Sequence, residues 1–295
     1  MAPRLGVSAW CFHDALYAGR LTLHDIPARV AELGFDLVEL NDLFYPPPRF
    51  SRLRYLPWRV RGRVRSRDLW RAFQRSWVES ASTRQRLRKA CDEAHVRCAA
   101  FTLNSDFTGQ PRQQPAALAY VAAGLATTAA LGAPIMRVTS DCREKSDDMT
   151  TPGVLERVVD GLRQAVKLAQ AAGIHLALEN HWGLTTEPAA MLRLVQAVDS
   201  PWLGVCLDLG NFPPAQRLAG IERLAPYAIH AHAKAGQFTE SGEETQIDYR
   251  TELAILSQAG YRGPLVIEHE GDSDPAVGIQ HTRELVMRHW PTSSD

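Results

Sequence analysis

Residues 154–180 read VLERVVDGLRQAVKLAQAAGIHLALEN, and residues 203–208 read LGVCLD. The first stretch changes period partway. Over Pro152–Ala172 the apolar residues recur at three- to four-residue spacing, one face of a helix. Gly173 stops the pattern, as a left-handed residue closing a helix does. Ile174–Asn180 is then a short run, apolar until it ends in Glu179-Asn180-His181. The helical stretch Glu187–Val198 separates it from a second such run, Leu203–Asp208. Strand, helix, strand at this spacing is a βαβ unit, which sets the two strands parallel.

The same alternation extends outward in both directions. Further strand-like runs are Leu5–Trp10, Asp36–Asn41, Arg97–Leu103, Pro134–Thr139, Ala228–Lys234 and Leu265–Glu270, making eight in all. Helical patterns occupy Thr22–Leu33, Pro115–Leu131, Tyr249–Ala259 and Pro275–His289, and Gly34, Gly132 and Gly260 repeat the stop at Gly173. Eight βα units in 295 residues predict a single-domain (β/α)8 barrel over residues 1–295. An open doubly wound sheet would favour a Gly-rich phosphate loop after an early strand, and none is present. The irregular part is an insertion after strand two, about residues 45–80, with Pro46-Pro47-Pro48 and Trp58, Trp70 and Trp77. From Arg49 to Lys89 there are 14 Lys/Arg against Asp68 and Glu79. It reads as a solvated or subunit-packing excursion, with a lid over an anionic ligand as the alternative.

Hydrophobic residues make up 45% of the chain, enough to fill a large core, and 33 basic side chains balance 33 acidic ones. Zero net charge argues against a chain built as a whole for nucleic acid or an anionic membrane. No uninterrupted apolar run reaches the ~18 residues of a spanning helix. The start, Met1-Ala-Pro-Arg, lacks the apolar stretch of a signal peptide. Cys11, Cys91, Cys98, Cys142 and Cys206 are scattered, with no Cys-x-x-Cys. That excludes a disulfide framework and predicts a reducing cytoplasm.

In such a barrel the chemistry sits at the C-terminal strand ends. Strand two ends at Glu39 and Asn41, strand three leads to Asn104 and Asp106, and strand four carries Arg137. Strand five ends at Glu179, strand six at Asp208 with Asn211 beyond, and strand eight at Glu268-His269-Glu270. On strand seven His230, His232 and Lys234 share one face by alternation, and that face points into the barrel mouth. One carboxylate at a strand end is usually a cap or ion-pair partner, and one histidine is usually a satisfied core residue. Ligand-type groups at matching ends of strands five to eight need a cation to neutralise them. Three carboxylates and one imidazole favour a hard ion such as Mn²⁺ or Mg²⁺ over a thiolate zinc site.

The chain resembles the sugar phosphate isomerase/epimerase superfamily with the xylose isomerase-like barrel, in the branch of ketose 3-epimerases and inosose dehydratase-isomerase proteins. The likeness is carried by Leu-Gly-Val-Ser, Gly-Phe-Asp-Leu-Val-Glu-Leu, Leu-Ala-Leu-Glu-Asn-His, Gly-Val-Cys-Leu-Asp-Leu-Gly-Asn, His-Ala-His-Ala-Lys and Gly-Pro-Leu-Val-Ile-Glu-His-Glu-Gly. It implies that Glu179, Asp208, His232 and Glu268 hold one divalent ion, with Mn²⁺ favoured and Mg²⁺, Co²⁺ or Zn²⁺ as alternatives. His230 is then second to His232, and Glu270 to Glu268. It also implies that Glu179 and Glu268 are the acid/base pair, and that the chain forms dimers or tetramers. Relatives often carry Asp-x-x-His after strand six, where this chain has Asn211, which weakens a trinuclear endonuclease IV-like site.

The expected activity is epimerisation or isomerisation of a sugar, keto-sugar or cyclitol, by proton transfer next to a carbonyl through a metal-stabilised enediolate. Dehydration of a keto-sugar or keto-inositol would use the same first step. DNA repair by an endonuclease IV-like nuclease is the third reading, favoured only by the Arg-rich insertion. Trp10, Asn104, Arg137, His181, Asn211 and Lys234 are the expected substrate contacts. Phe107 joins Trp10 as an apolar wall, and residues 141–150 help to shape the pocket.

Overall fold

The computed structural model describes residues 3–44, 80–141 and 153–291. Most of the insertion and of the loop at 141–150 therefore lies outside the described residues. Eight parallel strands close into a barrel in chain order. They are β1 (Arg4–Ser8), β2 (Leu37–Asn41), β3 (Arg97–Leu103), β4 (Ile135–Val138), β5 (His175–Glu179), β6 (Leu203–Asp208), β7 (Ala228–Ala235) and β8 (Pro264–His269). β8 pairs with β1 and leaves no edge. Strands buried on both faces read as nearly continuous apolar runs, which is why the sequence shows runs rather than alternation.

Nine described helices accompany the strands: α1 (His13–Tyr17), α2 (Ile26–Glu32), α3 (Ala81–Glu93), α4 (Gln114–Leu131), α5 (Val154–Ala172), α6 (Pro188–Val198), α7 (Arg217–Leu224), α8 (Tyr249–Gln258) and α9 (Pro275–His289). Gly132 and Gly173 close α4 and α5 at φ 69° and 68°, a conformation that needs no Cβ.

Several local expectations are corrected. β1 stops at Ser8 instead of Trp10, because the Ser8 hydroxyl caps a 3-10 turn over Ala9–Phe12. α2 begins at Ile26 instead of Thr22. The Thr22 N–H donates to Asp25 (2.8 Å) and His24 N–H to the Thr22 hydroxyl (3.2 Å), a turn that precedes the helix. No uninterrupted apolar run is long enough to span a membrane, but the helical stretch Pro111–Leu131, which contains α4, is long and apolar enough on average to do so by length and composition. The residues that break its apolar run, Thr127 and Thr128, bond back to the carbonyls of Ala123 and Gly124, and the helix packs on β3 and β4. It is a barrel helix. Phe107 lies inside, against Gly161 of α5, and walls no pocket.

Two register shifts decide what faces what. In the β6–β7 pair Val205 faces Ala228, but Cys206 faces His230, so Ile229 is skipped. Without that extra residue Ala231 would stand opposite Asp208; with it His232 does. The β2–β3 pair skips Ala99 between Val38 and Glu39 in the same way. Such bulges re-aim side chains next to sites.

Glu252 of α8 is 1% exposed, and its Oε2 has no hydrogen-bond partner. Burial pushes its pKa from 4.5 up to about 9, against the pull of Arg217. The folded chain therefore keeps a proton that the unfolded chain releases. This contribution to stability is complete below pH 4.5 and is lost as pH rises toward about 9. Glu252→Gln is expected to raise the unfolding midpoint at pH 8, at about 2–4 °C per kcal/mol. Thermal melts over pH should show the gain vanish toward acid; a gain equal at every pH would contradict this account.

Candidate active site

The inward-facing positions follow from register. Glu179 pairs with Cys206, Asp208 with His232, and Lys234 with Glu268. One step earlier on neighbouring strands stand Gly6, Ala100 and Ala177, small residues that leave room for the charged layer above. In that layer Glu179, Asp208, His232 and Glu268 each offer a ligand atom, all within 4.8 Å of one another. All four residues are buried. The second His of strand seven joins this group.

The hydrogen-bond accounting shows what the group lacks. His232 Nδ1 is 2.9 Å from Glu179 Oε1, 3.6 Å from Asp208 Oδ2 and 3.7 Å from Glu268 Oε2. Yet Glu179 Oε1, Asp208 Oδ2 and His232 Nδ1 are buried and make no hydrogen bond. Buried polar atoms are normally partnered. Three oxygens and one imidazole nitrogen converging on one point have the chemistry of a divalent-ion site. The residues present therefore fit a single ion.

Each ligand is held from behind. Asp208 Oδ1 accepts the N–H groups of Gly210 (2.7 Å) and Asn211 (2.9 Å), which leaves Oδ2 for the site. Asn180 clamps the Asp208 backbone, donating to its carbonyl (2.8 Å) and accepting its N–H (2.7 Å). Arg137 forms a buried ion pair with Glu179 Oε2, so Glu179 presents Oε1 inward. Arg137 also lies 3.4 Å from Asn104 Oδ1, and Asn104 donates to Asp42 (2.6 Å). Lys234 Nζ stands 3.6 Å from Asp208, 3.3 Å from Glu268 and 3.0 Å from Glu270.

These surroundings push the two glutamates apart. Burial raises the pKa of Glu179, but Arg137, His181 and His232 overcome it and hold the carboxyl well below the usual range. Burial raises Glu268, reinforced by Asp208 and Glu179, and His232 and Lys234 only partly offset it. Burial pushes His181 down to about 4, so it is a neutral imidazole near pH 7.

The remaining expected residues take different positions. His181 Nε2 lies 3.9 Å from Glu179 Oε2, and its Nδ1 has no partner. Asn211 Nδ2 is likewise buried without one. Trp10 donates from its indole to Glu270 (2.5 Å) and stacks on His13, with ring centroids 4.9 Å apart. Arg137 and Asn104 are committed to protein partners. Sequence reading gave Glu39 no role, yet it is fully buried beside this group. Its Oε2 lies 2.6 Å from His230 Nε2 and 3.0 Å from His232 Nε2. The available signal was a carboxylate set among the apolar residues of a doubly buried strand.

The family model for the xylose isomerase-like TIM barrel matches residues 27–289, and the chain belongs to that family. It is 29% identical over 141 residues to L-ribulose-5-phosphate 3-epimerase UlaE of Escherichia coli, covering 44% of this chain and 49% of that protein. It is 25% identical over 171 residues to inosose dehydratase of Bacillus thuringiensis, covering 50% and 56%. The chain thus spans about half the length of the curated relatives it matches. A D-tagatose 3-epimerase-like protein superposes with TM-score 0.71 at 17% identity, over 97% of both chains. The IOLI protein, solved with a zinc atom, superposes with TM-score 0.66 at 14% identity, over 98% of this chain and 100% of that one. At these identities the structures speak for the fold.

Proposed function

We propose that this protein is a divalent-metal-dependent epimerase or isomerase of a sugar, keto-sugar or cyclitol, acting by proton transfer next to a carbonyl. The observation that carries the reading is the convergence of Glu179, Asp208, His232 and Glu268, with unpaired atoms of the first three turned toward one another. These four would hold the ion, for which the oxygen-rich donor set favours Mn²⁺. When bound, the ion supplies a Lewis acid that polarises a carbonyl oxygen.

The chain's own groups do the proton work. Glu179 comes from β5 and Glu268 from β8, three strands apart around the barrel, so they reach a shared substrate from different directions. Arg137 keeps Glu179 ionised, which suits it to take the proton. Glu268, in contact with Lys234 at 3.3 Å and with the Ser8 hydroxyl at 3.2 Å, is placed to return a proton from the other side. His181 and Asn211 carry unpaired polar atoms for hydroxyl groups, and Trp10 offers a ring face. Arg137 acts here on Glu179 more than on substrate.

The likeness to inosose dehydratase supports a second outcome, loss of water after the same first step. Ketoses and keto-inositols incubated with Mn²⁺-loaded protein in heavy water separate the two. Deuterium at one carbon with unchanged composition is expected for epimerisation, and a product lighter by about 18 mass units for dehydration. No exchange and no loss from any of them would sink both readings.

A further inference from the structure

Glu39 makes contacts that the proposed chemistry does not use. It is fully buried and touches the four-residue group directly at His232, on the ring nitrogen that faces away from the three carboxylates. Its Oε2 faces both His230 Nε2 (2.6 Å) and His232 Nε2 (3.0 Å). Its Oε1 meets the Ser8 hydroxyl at 3.2 Å, and the same hydroxyl lies 3.2 Å from Glu268 Oε1. Both register shifts serve this arrangement: one sits between Val38 and Glu39, and the other brings His230 and His232 into line.

We propose that Glu39 is a positioning residue, which fixes the tautomer and ring orientation of His232 and, through Ser8, the placement of Glu268. This rests on the reading of Glu179, Asp208, His232 and Glu268 as an ion site. A neutral imidazole carries one N–H, and a carboxylate only accepts. Glu39 therefore keeps that N–H on Nε2 and leaves the Nδ1 lone pair facing the carboxylates. His230 donates to the same oxygen and holds Glu39 in place. Carboxylates behind ligating histidines work this way, and their loss typically costs 10–100-fold in metal affinity.

Cys206, His230 and His232 also lie close enough together to suggest a second, inner ion. The contacts argue against it. Both Nε2 atoms are engaged by Glu39 at 2.6 and 3.0 Å.

The test uses the whole protein stripped of metal. Calorimetric titration with Co²⁺ should give one ion per wild-type chain. Glu39→Gln should bind 10–100-fold more weakly, with a changed Co²⁺ visible spectrum. His230→Gln, which keeps an N–H toward Glu39, should bind the ion more tightly than Glu39→Gln does, without the 10–100-fold loss. Equal affinity in Glu39→Gln, two ions per wild-type chain, or an equal loss in His230→Gln would each overturn the assignment. Nitrogen-15 NMR of the Zn²⁺-loaded wild type needs no variant at Glu39. It should show His232 protonated at Nε2 and ligated through Nδ1, and the reverse would also overturn it. A wild type that binds neither ion refutes the ion site itself, a separate failure.

Discussion

Glu268→Gln, assayed at saturating ion, is expected to lower kcat by about 10²–10⁴-fold while the fold survives, the range a positioned acid or base typically contributes. The amide has nearly the shape of the carboxyl. Its one oxygen can still accept from Lys234, 3.3 Å away, while its NH₂ group can donate to the Ser8 hydroxyl oxygen, 3.2 Å away. What it loses is the ability to take or release a proton. Glu179→Gln should be as inactive, but it is the poorer experiment, because it strands the buried guanidinium of Arg137. Breaking one side of a buried pair typically costs 3–5 kcal/mol. Hydrogen exchange sharpens the result. If Glu179 removes the proton and Glu268 returns one at the other face, the Glu268→Gln protein should still exchange the substrate's carbon-bound hydrogen with heavy water without forming epimer. Steady-state kinetics and proton NMR on the same sample read both. Full kcat in Glu268→Gln would end the two-carboxylate account.

How far the sequence alone reaches can be judged from particular residues. The barrel was legible because each strand is a short apolar run and several helices stop at glycine, both local properties. The charged ends of β5, β6 and β8 stood out because a carboxylate after Ala-Leu or Ile has few places to go but the mouth. α3 and α7 were not picked out. α3 buries only Thr83, Leu87 and Cys91, a thin stripe under many charges, and α7 is eight residues long with Gly220 inside. Glu39 was seen and given no role, because its partners depend on pairing. The skipped Ala99 and Ile229 are properties of two strands together, and neither strand shows them alone. The same holds for Arg137, which looks like a free cation in sequence and is spent on Glu179. Phe107 looked like a wall residue until helix α5 covered it at Gly161.

Asp208→Asn should abolish ion-dependent activity and ion-dependent stabilisation together. One oxygen of Asp208 accepts the N–H groups of Gly210 and Asn211, a task the amide oxygen of asparagine can take over. The other oxygen, Oδ2, is buried, has no hydrogen-bond partner and faces His232 Nδ1 at 3.6 Å. In asparagine that position becomes an NH₂ group, which cannot ligate a cation. The loop is kept and one of four ligands is removed. Affinity should fall by more than the 10–100-fold typical of losing a residue behind a ligand. Stability supplies the independent readout. Without a cation the wild type holds three buried carboxylates close together, opposed mainly by Lys234 and Arg137. An ion at 100 times its dissociation constant stabilises the fold by about 2.7 kcal/mol, a rise of roughly 5–10 °C at about 2–4 °C per kcal/mol. Chelator-treated wild type should lose activity and regain it with Mn²⁺, its melting midpoint rising in step. Asp208→Asn should show neither response at the same Mn²⁺ concentration. A wild type whose activity and midpoint ignore both chelator and Mn²⁺ would mean that these side chains balance one another without an ion, and that the chemistry lies elsewhere.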